Sequence, residues 1–343
     1  SVFKYKDSNK SIPEIAKELG VNHILEGSFQ KVGDQLKIKL QLIDAVADRH
    51  FWSEEFSGKW KSDDIFDIQA NVAENVVQKM DISISPLELT FIKDRPTKNQ
   101  EAFDLFLLAE YQRYKENETA YLNAIPLYEK AIELDPNFAR AYEGLGYTYL
   151  NGGLIWGIFT EEEAWKKATA YLKKAITIEP TYFAENNLFA AEFYFKWNFP
   201  FCETYLNKIT KTTGLPEEGG ISDYLIKTGR YDQAVDWVES FTQKTAFLSY
   251  NYPIKAKALF FSGRKEEAKA LLKLKDEVYS DDLWYLRESV MLYFYLGQYE
   301  TSKAKSQAIN TNFSDRAPLH IWLEPQTRCP DHHSFGRSQG RRP

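Results

Sequence analysis

The sequence is poor in cysteine and has no long hydrophobic run. Its 343 residues include only two cysteines, Cys202 and Cys329, too few for the disulfide framework of a small secreted protein. No stretch reaches the roughly 18 consecutive apolar residues of a membrane-spanning helix, and the first ten residues lack the apolar run of a signal peptide. The chain begins at Ser1 without an initiating methionine. We therefore expect a fragment or a processed piece of a longer protein. Its compartment stays open: the cytoplasm is favoured, and a periplasmic location would require a membrane span upstream.

Signatures of catalysis and of cofactor binding are missing as well. The sequence has no G-x-x-x-x-G-K-[ST] phosphate loop. Of its five histidines, His23 and His50 are expected in strands without a nearby Cys or Ser nucleophile pattern. Acidic pairs such as Asp63-Asp64 and Asp281-Asp282 stand where helices are expected to begin, and the helix dipole explains them there. The cluster at Cys329–His333 lacks a second pair of zinc ligands. The sequence therefore predicts a non-enzyme with no catalytic residue, no cofactor and no metal.

The charge balance is slightly acidic. Forty-three basic residues face 49 acidic ones, for a formal net charge of −6 at pH 7. Nucleic acids and anionic membrane surfaces require a basic face, so neither is expected as a partner of this fragment. The length is sufficient for two domains.

What the sequence does contain is a repeat with a period near 34 residues. Small residues recur where the second helix of each pair crosses its partner, at successive spacings of 44, 34, 32, 34 and 34 residues: Ala124, Ala168, Cys202, Ala234, Ala268 and Ser302. Gly229, Gly263 and Gly297 keep a strict spacing of 34 residues. Because helix axes approach closely only where side chains are small, the pattern predicts an α-solenoid of about six helix hairpins.

The best-matching unit resembles a tetratricopeptide (TPR) repeat. The residues that carry the resemblance are Tyr142, Leu145, Gly146, Tyr149, Ala168, Leu172, Ala175 and Pro180. About ten extra residues near Asn151–Phe159 separate the two helices of this unit. The resemblance implies stacked α-hairpins whose first helices line a concave surface.

The first eighty residues follow a different period. Ser11–Glu14 forms a capping box that opens a short helix, and Leu36, Ile38, Leu40 and Leu42 alternate with polar residues as in a half-buried strand. Neighbouring segments predict a strand on each side of it, and Ser62 or Asp63 is expected to cap a second helix. This half is therefore predicted to be a small α+β domain, an antiparallel sheet with two helices. So narrow a sheet exposes edges, and we expect that preceding strands have been cut away.

The order of these elements resembles the TolB-like domain found ahead of TPR arrays in bacterial signalling proteins. The segments that carry the resemblance are Ile15–Ala45, Phe51–Phe56, Asp63–Val76 and Arg95–Glu110. It covers roughly residues 1–180 and departs at Val46–Asp48, where the family turns on Thr-Gly. It implies a further strand and helix upstream, beyond which longer relatives carry a nucleotide cyclase or a winged-helix DNA-binding module.

Four regions are expected along the chain. Residues 1–81 form the partial TolB-like domain, 82–100 a proline-broken linker, 101–312 the TPR-like α-solenoid and 313–343 an irregular or disordered tail. The first helix of the fourth unit is expected to be short, because Gly214–Gly220 opposes helix formation.

The TPR resemblance also places a partner-binding groove on the first helices. Carried over residue by residue, the groove positions are Arg140, Glu143 and Tyr147 in the second unit and Asn187, Ala191 and Tyr194 in the third. Tyr147 and Tyr194 would suit an apolar or aromatic segment of a protein or peptide partner. The alternative is that both tyrosines only pack between neighbouring units.

These observations favour a non-catalytic interaction scaffold, the sensory part of a bacterial signalling protein. One alternative is the regulatory region of an adenylate or guanylate cyclase whose catalytic domain lies upstream. Another is the effector half of a winged-helix transcription regulator. The identity of the partner and the oligomeric state stay open.

Overall fold

The computed structural model describes Tyr5 and residues 9–19, 21–80, 96–210, 220–242 and 251–312. Its first part, which we call the head, comprises the described residues up to Met80. There α1 (Ile12–Leu19) precedes β1 (His23–Val32), β2 (Gln35–Asp44) and β3 (Arg49–Lys59), followed by α2 (Ser62–Lys79). The backbone N–H of Ser11 donates to the Glu14 carboxylate at 2.7 Å, as the capping box predicted.

The three strands form one antiparallel sheet in the order β1-β2-β3. Leu42 of β2 pairs with Leu25 of β1 and with Trp52 of β3, so these three side chains share a face. Helix α2 packs on that face, where Ile65 and Ile68 join a core with Leu36, Trp52 and Phe56. The alternation in β2 is thus explained by one covered face.

Strand β1 is the open side of this sheet. It pairs with β2 alone among the described strands, and its core-face residues Leu25 and Phe29 remain 45% and 56% exposed. Helix α2 packs chiefly against β3. The head therefore leaves one strand edge unpaired and partly apolar.

The start of α2 differs from the expectation. Lys61 is the N-cap residue and makes no side-chain capping bond, so a cap at Ser62 or Asp63 was wrong. Instead, the Asp64 carboxylate accepts a hydrogen bond at 2.7 Å from the backbone N–H of Lys59, the last residue of β3. The carboxylate therefore ties the helix start to the sheet.

The second part, which we call the array, contains twelve helices in the described residues. They are α3 (Gln100–Arg113), α4 (Glu118–Leu134), α5 (Ala139–Leu154), α6 (Glu161–Ile178), α7 (Tyr182–Lys196), α8 (Phe199–Ile209), α9 (Ile221–Lys227), α10 (Tyr231–Thr242), α11 (Asn251–Phe261), α12 (Lys265–Asp276), α13 (Leu283–Tyr295) and α14 (Tyr299–Asn312). Consecutive helices pair into six hairpins that stack as a TPR-like solenoid, which confirms the predicted fold class.

Small residues occupy the helix crossings as expected. Ala124, Ala168 and Ala268 are fully buried. At the second hairpin, a Cβ placed on Gly146 would lie 2.7 Å from the Leu172 side chain and 3.3 Å from the Ala168 carbonyl oxygen. Glycine is favoured there, because a methyl group would collide with the Leu172 side chain and lie tightly against the α6 backbone.

Three glycines form equivalent turns within the last three hairpins. Gly229, Gly263 and Gly297 have φ of +77°, +87° and +74°. At each turn, the residue after the glycine donates its N–H to a carbonyl five residues earlier, as in the 2.9 Å bond from Arg264 to Leu259. These are left-handed helix ends of the kind that glycine favours. The 34-residue glycine spacing therefore marks one bend repeated three times.

The head and the array share a hydrophobic core. The ring of Phe66 on α2 lies 4.8 Å from that of Phe103 on α3, and both belong to one cluster with Phe138. The Trp60 indole N–H donates to the Asp104 carboxylate at 3.0 Å. Sheet, α2 and first hairpin are therefore packed as one body.

Some expectations concern residues outside the described ranges. Most of the linker at 82–100, the segment 211–219 and the tail at 313–343 lie there, including the Cys329–His333 cluster. Within the described ranges, α9 has seven residues, which confirms the short first helix of the fourth unit. No helix among the described residues combines the length and hydropathy needed to cross a bilayer.

Candidate partner-binding face

The first helices of the hairpins form one continuous surface along the array. Helices α3, α5, α7, α9, α11 and α13 follow one another along the stack, and neighbours in this series contact each other. We call their shared surface the inner face. The six groove positions carried over from the TPR resemblance lie on α5 and α7.

In the second hairpin, the three positions are largely used for contacts within the array. Arg140 is half-buried, whereas Glu143 is buried and accepts a hydrogen bond from the Thr181 hydroxyl. The Tyr147 ring lies 4.7 Å from the Arg113 guanidinium and 5.6 Å from the Phe183 ring. Tyr147 therefore packs between the first and third hairpins.

The third hairpin repeats this behaviour. The buried Asn187 side chain donates to the Phe183 carbonyl oxygen at 2.8 Å, and Ala191 is fully buried. The Tyr194 hydroxyl donates to the Asp223 carboxylate at 3.2 Å, which links this hairpin to the fourth. Of the six positions, Arg140, Tyr147 and Tyr194 keep some solvent exposure, and the other three are buried.

The inner face of the later hairpins carries an ion pair that was not predicted from the sequence. Lys257 Nζ lies 2.6 Å from Asp223 Oδ1, and the two side chains are only 13% and 19% exposed. Burial opposes ionisation of Asp223, but the attraction of Lys257 outweighs it, so the pKa of this carboxyl is lowered. Both residues follow a small residue of a first helix, Ser222 or Ala256, by one position. The groove positions Tyr147 and Ala191, which came from the TPR resemblance, likewise follow the small residues Gly146 and Ala190 by one position.

Two further charged groups lie on α13. Burial raises the pKa of the Glu288 carboxyl, although Lys257 and Arg287 oppose this effect. Burial also lowers the pKa of Arg287 to about 10, which leaves the guanidinium charged at neutral pH. Arg287 precedes Val290 of the same first helix by three positions, as Asn187 precedes Ala190.

In the first hairpin, a compact network holds the inner-face charges. Arg113 Nη2 donates to the Glu110 carboxylate at 2.5 Å, and the buried Tyr128 hydroxyl donates to the same carboxylate. Burial and the nearby Glu110 raise the pKa of Tyr128, and Arg113 opposes them. These charges are paired within one hairpin.

The last hairpin also contacts the first two hairpins. The Trp284 indole N–H on α13 donates to the Glu116 carboxylate in the α3–α4 turn at 3.4 Å, across 168 residues of sequence. The Arg287 guanidinium lies 5.3 Å from the Trp284 ring and 6.0 Å from the Trp156 ring. Trp156 belongs to the extra segment of the second hairpin, so this segment reaches the last hairpin.

The described residues offer little that resembles a reactive centre. No group of three His, Cys, Asp or Glu side chains among them is placed to hold a metal ion. Cys202 is buried at a helix crossing, and burial raises the pKa of its thiol to about 12. Its role is packing.

Comparison with known sequences supports the repeat assignment. A family model described as "TPR repeat" matches residues 120–153, which span α4 and α5. A protein of Rhizobium meliloti (strain 1021) named "Putative adenylate cyclase 3" is 28% identical over 145 residues. That match covers 42% of this chain but only 24% of the relative, so the chain spans about a quarter of the relative's length.

Several solved structures are similar to parts of this chain. They include MamA (18% identity, TM-score 0.37, covering 54% of this chain and 96% of that chain). A thermophilic TPR protein of Thermus thermophilus has 16% identity and a TM-score of 0.34, with 66% and 97% covered. YrrB, described as a TPR protein with an unusual peptide-binding site, has 14% identity and a TM-score of 0.28, with 71% and 98% covered.

Proposed function

We propose that this chain is a non-catalytic scaffold that binds a segment of a partner protein on its inner face. The observation that carries the proposal is a set of charges with little solvent exposure there: Arg287 is buried, and Asp223, Lys257 and Glu288 are half-buried. Buried ion pairs stabilise a fold weakly, and apolar residues of similar volume often serve stability as well or better. A binding surface gains specificity from such groups, because a wrong partner leaves them unpaired.

Within this proposal, Arg140, Tyr147 and Tyr194 are the partner contacts among the six groove positions. Each keeps part of its surface exposed, whereas Glu143, Asn187 and Ala191 are buried. The three buried positions then shape the inner face by fixing the spacing of α5 and α7. Tyrosines supply contact area with few rotatable bonds, which suits recognition of an extended segment.

Site-specific photo-crosslinking tests the location of the binding face. Benzoylphenylalanine is introduced at Arg140 or Tyr194 on the inner face, or at the exposed Lys174 on α6 as the matched control. The full chain is irradiated in cells, and the crosslinked peptides are sequenced. We expect the same partner segment to be crosslinked from positions 140 and 194 but not from position 174. Crosslinks that arise only from position 174 would contradict the proposal.

A second function follows from the cyclase-named relative. We propose as the alternative that the chain regulates an adenylate cyclase module encoded upstream, because the match covers only 24% of a relative with that name. In this case the purified chain forms no cyclic AMP from ATP and Mg²⁺, whereas a protein extended upstream does. Formation of cyclic AMP by the chain alone would overturn both this function and the scaffold.

A further inference from the structure

The second hairpin differs from the others by the segment between its helices. Backbone hydrogen bonds fold this segment against the end of α5: Trp156 N–H donates to the Asn151 carbonyl at 3.1 Å, and Ile158 N–H donates to the Gly152 carbonyl at 2.7 Å. Gly157, with φ of +62°, allows the chain to reverse between these two bonds. The segment therefore has a defined backbone conformation, held by hydrogen bonds to the end of α5.

Its apolar side chains are buried by contacts that are distant in sequence. Ile155 and Trp156 form a cluster with Tyr121 of α4, and Trp284 of α13 packs against it. The Tyr121 and Trp156 rings lie 5.7 Å apart. An ordinary surface loop does not bury a tryptophan against two other hairpins. The segment thus joins the second hairpin to the last.

Polar contacts reinforce the same junction from both sides. The Glu116 carboxylate accepts the 3.4 Å hydrogen bond from the Trp284 indole. The Arg287 guanidinium, charged at neutral pH, lies within cation–π distance of both tryptophan rings. Glu116 has φ of +53°, a left-handed conformation that is unfavourable for a non-glycine residue. The junction therefore combines an apolar contact with two directional contacts.

We propose that Glu116 and Trp156, held by Trp284 and Arg287, form a clasp that keeps the array in a closed turn and restricts entry to its inner face. Opening of the clasp separates the last hairpin from the first two and admits the partner segment. The closed turn stands on the contacts alone, whereas the admission of a partner rests on the proposed function. A contact between the two ends of a stack of hairpins is suited to such a switch, because small rotations at each hairpin add up along the stack.

Distances between spin labels test the closed turn without any partner. Cysteines replace Glu118 at the start of α4 and Asp281 before α13, both exposed, in a Cys329→Ser background. Cys202 remains, since its buried thiol is scarcely ionised. We expect one short distance in this protein and a longer, broader distribution after Trp284→Ala. Tyr299→Ala, which removes a 60% exposed ring of the same hairpin, is the control and leaves the distance unchanged.

The opposite side of the clasp supplies a second variant. Trp156→Ala is expected to produce the same lengthening, and circular dichroism verifies that both variants remain helical. An unchanged distance in the folded variants would overturn the clasp. If one of the two variants fails to fold, the spin-label distance in the other variant tests the clasp.

The restriction of entry is tested by the labelling rate of a cysteine at Tyr147. Maleimide is expected to react at least about fivefold faster in Trp284→Ala than in the closed protein, and Tyr299→Ala again serves as control. Equal rates would overturn the restriction. Absence of the inner-face crosslinks would instead refute the partner-binding function, so the two failures are distinguishable.

Discussion

The front hairpins (α3–α8) and the rear hairpins (α9–α14) build the same architecture by different means. In the rear half, each hairpin turns at a glycine with positive φ. In the front half, the first turn contains Glu116 and the third contains Trp197, both in the left-handed region without being glycine. Both halves keep small residues at the helix crossings. Packing at the crossings thus defines the hairpin, and the turn adapts to it.

The two halves also differ in how they satisfy inner-face charges. In front, Arg113 and Glu110 are paired within a single helix. In the rear, Asp223 and Lys257 are paired between the fourth and fifth hairpins. A charge pair within one helix fixes a local conformation, whereas a pair between hairpins fixes their relative position. The rear half therefore depends more strongly on its ion pair.

The largest loss of stability is expected when the ion pair between Asp223 and Lys257 is removed. Asp223→Asn leaves Lys257 buried without its counter-ion and should lower the free energy of unfolding by about 3–5 kcal/mol, as measured with urea. Asp232→Asn, at an exposed position on α10, is the control and should change it by less than about 0.5 kcal/mol.

The same pair predicts a pH dependence. Because the pKa of Asp223 is lower in the folded chain than its usual 3.8, its contribution is complete above that value and is lost as the pH falls toward the folded pKa. Between pH 5 and 3 the wild type should lose more stability than Asp223→Asn. Parallel pH curves would contradict this assignment.

Bulky substitutions at the buried helix crossings should lower stability to a similar extent in the front and rear halves. Ala175→Leu in front and Ala268→Leu in the rear introduce bulk at fully buried positions and should each cost roughly 1–3 kcal/mol, visible as a lower melting temperature. The exposed Ala270→Leu controls for leucine itself. An unchanged melting temperature in either crossing variant would show that its helix register is wrong.

The rear turns offer a test of backbone conformation alone. A Cβ on Gly263 meets no atom within 4 Å, and φ is +87°. Gly263→Ala should therefore destabilise the chain by about 1–2 kcal/mol through left-handed strain, whereas Gly263→Asn should cost less, since asparagine tolerates this region. Equal losses in the two variants would implicate packing instead. Urea unfolding measures both.

The smallest effect concerns a front turn that relies on a side chain. Thr160 caps α6 by accepting a hydrogen bond from the Glu163 N–H at 3.3 Å. Thr160→Ala should cost about 1 kcal/mol, and Thr160→Ser should retain most of the stability. A loss as large as that of the crossing variants would mean that the front turn does more than cap its helix.

Sequence reasoning succeeded where the determinants are local. The glycine spacing located three turns, and the alternation around Leu40 located β2, because each pattern reflects the conformation of adjacent residues. The clasp could not be predicted from the sequence, because Trp156 and Trp284 come into contact only in the folded array. The groove positions were predicted only in part: the TPR resemblance placed Ala191 on a first helix, one position after Ala190, but its burial depends on the neighbouring hairpins. Applied to Ser222 and Ala256, the same offset finds Asp223 and Lys257.

The aromatic contact between Phe66 and Phe103 has a mechanical consequence. Since α2 and α3 share a core, the sheet cannot swivel on its own while the first hairpin stays in place. A rotation of the first hairpin would therefore turn β1, β2 and β3 together with it. Among the described strands β1 pairs only with β2, so its other edge moves together with the first hairpin.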